Sequence, residues 1–129
     1  ATPPPPAATP AERRFPPGDR SNIPPGAQQL VNLLSQDMQR VAGKAPAAFA
    51  AQVKDTQKRL GLLFDHLNNG ELVQPDTVEQ LTRVAEAITA RDFEGASRLQ
   101  AEIIRDKVEE CGQWMVGLKR LISMSKATP

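Results

Sequence analysis

Proline partitions this chain more sharply than any other residue. Nine of its 12 prolines, at positions 3, 4, 5, 6, 10, 16, 17, 24 and 25, precede Ala27. Only Pro46 and Pro75 fall between there and Pro129. A proline lacks the amide proton and fixes φ, so it is excluded from helix interiors and central strands. Residues 27–126 are therefore expected to hold the folded domain, with 1–26 a disordered proline-rich segment and 127–129 a loose end. Because the sequence starts at Ala1 without methionine, the chain is read as a fragment of a larger protein.

Within residues 1–26 only Phe15 and Ile23 are large and apolar, too few to offset the entropy of ordering the backbone. Pro3, Pro4, Pro5 and Pro6, and the run Phe15-Pro16-Pro17, favour the extended polyproline II form that aromatic grooves recognise at low entropic cost. A plain spacer satisfies this composition, and so does a docking motif; composition alone favours the spacer.

The remainder reads as all-α, an antiparallel bundle of four to five helices. Aromatic residues make up 4% of the chain and tyrosine is absent, so the core must come from Leu, Val, Ile and Ala. No stretch alternates apolar and polar residues between turn signals. A first helix is expected over about residues 25–42, with Leu30, Leu34, Met38 and Val41 on one face and Gly43 as its stop. A second starts near Pro46, carries Phe49, Val53, Leu60, Leu63, Phe64 and Leu67 inward, and closes at Asn68-Asn69-Gly70. Pro75 and Asp76 open a third, with Val78, Leu81, Val84 and Ile88. Asp92 caps a fourth that turns Phe93, Ala96, Leu99, Ile103 and Ile104 inward. Apolar spacing continues into Trp114, Leu118, Leu121 and Ile122, with a break expected between Lys107 and Gly112. Short connections predict that successive helices pack as antiparallel neighbours.

Charge and chemistry exclude several function classes. Counted from Gln28 onward, Lys and Arg number 13 against 13 Asp and Glu, which gives no basic excess for a nucleic-acid backbone. Cys111 is the only cysteine and His66 the only histidine, so no disulfide, zinc set or nucleophile–base pair is implied. His66 is expected at the edge of an apolar stripe. The glycines are scattered, so no phosphate loop forms. No apolar run reaches the roughly 20 residues of a membrane span, and the single cysteine suits a cytosolic setting. No cofactor, metal or catalytic residue is expected.

The segment Gln113 to Ile122 holds the densest information. Trp114, Leu118 and Ile122 share one broad face and read as core anchors, together with Phe49, Leu60, Phe64 and Phe93. Gly117, costly in mid-helix by up to about 1 kcal/mol relative to Ala, reads as a point of close helix approach. Leu62 and Val116 fall off their stripes, flanked by Arg59 in one case and Lys119 and Arg120 in the other. These five residues are the candidate partner surface.

Gln113-Trp114-Met115-Val116-Gly117-Leu118-Lys119-Arg120-Leu121-Ile122, with Leu62-Leu63-Phe64-Asp65-His66-Leu67 and Asp92-Phe93-Glu94-Gly95-Ala96, resembles the helical domain family shared by the steroid receptor RNA activator protein and the COPII outer coat scaffold. The Phe64-Asp65-His66-Leu67 stretch and the upstream proline-rich tract are more similar to the coat branch. That resemblance implies a five-helix, non-catalytic interaction module in the cytoplasm, peripheral at endoplasmic-reticulum exit sites and on COPII vesicles. It implies propeller elements of the outer cage as partners for the bundle, and the inner-coat adaptor and small GTPase as partners for the proline-rich segment. The membrane is reached only through the coat. The other branch implies a transcriptional or RNA-associated cofactor domain, and the neutral charge balance speaks against direct nucleic-acid binding.

Overall fold

The computed structural model describes residues 15–16 and 18–128; Pro3 to Pro6 and Pro17 of the expected docking tract lie outside them. The described residues form five α-helices: α1 Pro25–Lys44, α2 Ala50–Asn69, α3 Pro75–Thr89, α4 Phe93–Asp106 and α5 Gln113–Lys126, with 3-10 turns at Ala47–Phe49 and Val108–Glu110. No strand occurs among the described residues.

The helix ends follow local chemistry, with one departure from expectation. Gly43 does not stop α1, which runs on to Lys44 until Ala45 turns extended (φ −68°, ψ 138°). Ala45 precedes Pro46, whose ring disfavours the helical region for the residue before it; that steric clash, not glycine entropy, sets the boundary. Gly70 closes α2 in the left-handed region at φ 63°, and the Glu71 amide bonds back to the His66 carbonyl at 3.0 Å, a Schellman closure. The Asp92 carboxylate accepts the Gly95 amide at 3.0 Å and caps α4. Arg91 occupies the left-handed region at φ 64° just before that cap. Its guanidinium lies over the Phe93 ring at 4.8 Å and donates to the Ser125 carbonyl at 3.3 Å, contacts that help hold the strained turn. Helices α4 and α5 are separate, parted where the break was expected.

Sequence neighbours are not the principal packing partners. Helix α2 packs most extensively on α5, α3 on α4, and α1 on α3. Only α3 and α4 are both consecutive and closely paired. The α2–α5 pair is antiparallel, since Asp55 meets Arg120 while Arg59 and Leu60 meet Gly117. By contrast α1 and α3 run parallel: Ala27 and Val78 share one groove near their starts, and Arg40 and Ile88 share another near their ends. That shared direction follows from α2 carrying the chain back across the bundle between them; what departs from expectation is that α1 packs chiefly on α3 and not on its successor α2.

The core is aliphatic and is closed by one large aromatic. Leu30, Leu34, Leu63, Leu81, Ile103, Leu118 and Leu121 are fully buried, and Trp114 is 1% exposed. Its indole N–H donates to the Glu110 carbonyl at 3.2 Å, while the buried Glu110 carboxylate accepts the Gln74 amide at 2.8 Å. One residue thus ties the start of α5 to the start of α3. Leu60, Phe64 and Ile122 are also buried. Phe49 is not: it is 47% exposed, because it ends a 3-10 turn rather than lying on α2, and the tighter turn rotates it off the apolar stripe. Phe93 is half-buried at the core edge. Ile104, expected inward, is 40% exposed on α4.

At Gly117 the α5 backbone comes so close to α2 that an added Cβ falls 2.7 Å from the Arg59 Cβ and 3.2 Å from the Leu60 nitrogen. Gly117→Ala is expected to destabilise the fold by about 1–3 kcal/mol through overpacking, reversing the helix-propensity gain of up to about 1 kcal/mol. Urea unfolding followed by circular dichroism measures the sign; a more stable variant contradicts the close approach.

Candidate functional site

The five candidate contact residues stand on α2 and α5. On α2, Asp55, Arg59 and Leu62 recur at helical spacing; on the antiparallel α5, Val116, Lys119, Arg120 and Ser123 do the same. Arg59 Nε donates to Asp55 Oδ2 at 2.8 Å, and Arg120 Nη1 donates to that same oxygen. One carboxylate therefore bridges two guanidinium groups across the helix pair. Hydrogen bonding from Arg59, then the positive charge of Arg59 and Arg120, holds the Asp55 carboxyl below its usual 3.8. Val116 is 42% exposed and Lys119 is exposed. Leu62 differs from expectation, being partly buried against the core.

This surface continues beyond the predicted residues. Gln52, Ser123 and Met124 line a shallow groove beside Val116, Lys119 and Arg120. The same three line an adjoining groove with Val41, Ala45, Pro46 and Phe49. Exposed Phe49 thus joins the contact surface it was expected to underlie. The signal for it was Pro46, which allowed an irregular turn before α2.

A second arrangement escaped sequence reasoning. Part of the segment expected to be disordered lies along the C-terminal half of α2. The amide of Phe15 donates to Asn69 Oδ1 at 3.0 Å, that of Gly18 to Asp65 Oδ1 at 3.0 Å, and that of Asn22 to Asn68 Oδ1 at 2.6 Å. Arg20 reaches the same Asp65 oxygen at 2.7 Å and places its guanidinium 5.3 Å from the centre of the Phe64 ring. Ile23 packs on the core. Asp65 is only 6% exposed, and a buried carboxylate requires such donors. Residues 15–16 and 18–23 form a strap held by Asp65, Asn68 and Asn69; the sequence reads the two asparagines only as a helix end.

The isolated reactive groups have ordinary explanations. Burial, then the charges of Glu110 and Glu109, pushes the Cys111 thiol up, away from the thiolate that a nucleophile requires; it donates to the Lys107 carbonyl at 3.3 Å. His66 is half-buried, with Nδ1 3.0 Å from Glu71 Oε1. Among the described residues no group of three His, Cys, Asp or Glu could hold a metal ion, and no helix is long and apolar enough to cross a membrane.

The family model described as Steroid receptor RNA activator (SRA1) matches residues 1–128. The chain belongs to that family. Its match takes in the strap as well as all five helices. The protein transport protein SEC31 of Chaetomium globosum is 79% identical over 116 residues, covering 90% of this chain and 9% of the relative. Its namesake from Pyricularia oryzae is 68% identical over 123 residues, 95% of this chain and 10% of the relative. In Neurospora crassa the identity is 66% over 116 residues, 90% and 9%. The chain therefore spans about a tenth of the length of these relatives.

Two measurements test the geometry. Arg20→Ala is expected to cost about 1–3 kcal/mol by stripping a charged donor from buried Asp65, and to raise amide exchange at Gly18 and Asn22 without changing α3. Rapid exchange at both amides in the unaltered protein means the strap does not dock. For Asp55, a carboxyl whose folded pKa is depressed stabilises fully above the usual 3.8 and loses that contribution as pH falls through the lower folded value. The stability difference between wild type and Asp55→Asn is expected to close over that acid window in urea titrations; a difference constant with pH contradicts the bridge.

Proposed function

We propose that this chain is a non-catalytic protein-interaction module of the COPII outer coat, contributing to coat and cage assembly in transport from the endoplasmic reticulum to the Golgi. The observation that carries the reading is the similarity to protein transport proteins over at least nine-tenths of the chain. The α2–α5 surface supports it with exposed Val116 and Phe49 beside Lys119 and Arg120, a combination of apolar anchor and positive rim suited to a protein partner.

In this reading Val116, Lys119 and Arg120, with Arg59 and Leu62 beneath, face propeller elements of the outer cage. Pro3 to Pro6 and the Phe15-Pro16-Pro17 run serve the inner-coat adaptor and small GTPase, and the strap fixes where the proline-rich tract joins the bundle. The module works in the cytoplasm at endoplasmic-reticulum exit sites and meets the membrane only through the coat. Weak individual contacts suffice, because linking two binding segments raises the effective concentration of the second.

A second reading, an RNA-associated cofactor domain, draws on the description of the family model and on the basic residues of α2 and α5. The similarity to transport proteins gives the coat reading precedence.

Calorimetric titration of the full chain against purified outer-cage and inner-coat components tests the assignment. Saturable binding to a cage component, weakened at least about tenfold by Lys119→Glu with Arg120→Glu, is expected. Absence of binding to every coat component, together with salt-dependent retention of RNA on filters, transfers the assignment to the cofactor reading.

A further inference from the structure

The balanced charge of residues 28–129 conceals a strong separation in space. Helices α2 and α5 carry Lys54, Lys58, Arg59, Lys119, Arg120 and Lys126 against Asp55 and Asp65, a net charge of +4. Helices α3 and α4 carry Arg83, Arg98 and Arg105 against Asp76, Glu79, Glu86, Glu94, Glu102 and Asp106, a net charge of −3. Helix α2 has no extended contact with α3 or α4, and α1 touches both pairs. The positive and negative helix pairs therefore present separate outer faces.

Each face also exposes two large apolar side chains. Val116, 42% exposed, and Phe49, 47% exposed, border the joined grooves of the basic side. Ile104, 40% exposed on α4, and Val108, 64% exposed in the 3-10 turn that follows it, stand four residues apart; Arg105 and Lys107 beside them are paired with Asp106 and Asp76, which leaves Glu102 and Glu109, among the described residues, as the uncompensated charges nearby in sequence. Opposite net charge around paired apolar centres is the pattern of two surfaces that complement one another.

We propose that the basic α2–α5 face of one copy docks on the acidic α3–α4 face of a second copy of this chain. The charge of the basic face alone attracts any acidic protein. What selects a second copy is that the complementary face, with its own apolar centre, stands on the same molecule. The two faces differ, so the contact is heterologous: each docked pair retains one unused basic and one unused acidic face, and association continues instead of closing on a two-fold axis. This shares with the proposed function the use of the α2–α5 face, but it does not depend on the coat assignment.

Sedimentation velocity of the full chain over a wide concentration range tests it. At low ionic strength, species larger than a dimer are expected. Raising the salt from roughly 0.01 M to roughly 0.5 M, which shortens the screening length from about 30 Å to a few Å, is expected to lower the association constant at least about tenfold. Lys58→Glu with Lys119→Glu closes the basic face, and Glu102→Lys with Glu109→Lys closes the acidic one; circular dichroism confirms that both remain helical. Each charge variant alone is expected to be monomeric, because one of its two faces has lost its attractive charge, and an equimolar mixture is expected to associate again through opposite faces. Val116→Ser with Val108→Ser weakens association without changing charge. A wild-type chain that stays monomeric at low salt overturns the proposal, as does a closed, salt-insensitive dimer. Saturable binding of a synthetic Glu- and Leu-rich peptide by a chain that never self-associates also overturns it, assigning the basic face to a separate partner. No coat component enters the sedimentation experiment, so its failure is distinct from failure of the coat titration.

Discussion

The contact between Gly117 and the α2 backbone is the constraint on which the rest of this structure depends. It brings α5 against Arg59 and Leu60 at a separation that admits no side chain, and the consequences spread in both directions along the pair. Inward, Trp114, Leu118 and Leu121 reach the centre of the aliphatic core. Outward, Arg120 comes within reach of the carboxylate already held by Arg59. The packing contact and the candidate contact surface are two sides of one helix pair.

Much of this was legible because helix periodicity and helix punctuation are local. The five stripes, the closure at Gly70, the cap at Asp92 and the separation of α4 from α5 depend on residues within a few positions of one another. Gly117 was readable for a related reason: a glycine inside a strong apolar pattern calls for a neighbour in close approach. What escaped was longer in range. Phe49 and Ile104 satisfy the spacing of their stripes but not the geometry of the turn or the reach of the neighbouring helix. The choice of α3 over α2 as the chief neighbour of α1, and of α5 as that of α2, depends on contacts far apart in sequence, which short connections do not reveal.

The strap shows a different limit. Residues 15–23 hold only Phe15 and Ile23 as large apolar side chains, too few for a core of their own. Composition cannot report that Asp65 and Asn68 are buried polar groups on another segment, whose oxygens need the donors that Gly18, Arg20 and Asn22 provide. The charge balance has the same character. A count along the chain finds neutrality, whereas the arrangement of helices sorts the same residues into a positive and a negative side.

The pairing of α2 with α5 also bears on the order in which such a domain can assemble during translation. The second helix leaves the ribosome well before the last one exists, and its Leu60 and Leu63 stripe must wait for Leu118 and Leu121. Through that interval α1, α3 and α4 can already associate, since α3 and α4 are joined by a tight turn and α1 packs on α3. Synthesis thus passes through a partly built state in which the apolar stripe of α2 lacks its cover, a window in which a chaperone or a neighbouring nascent chain can claim it.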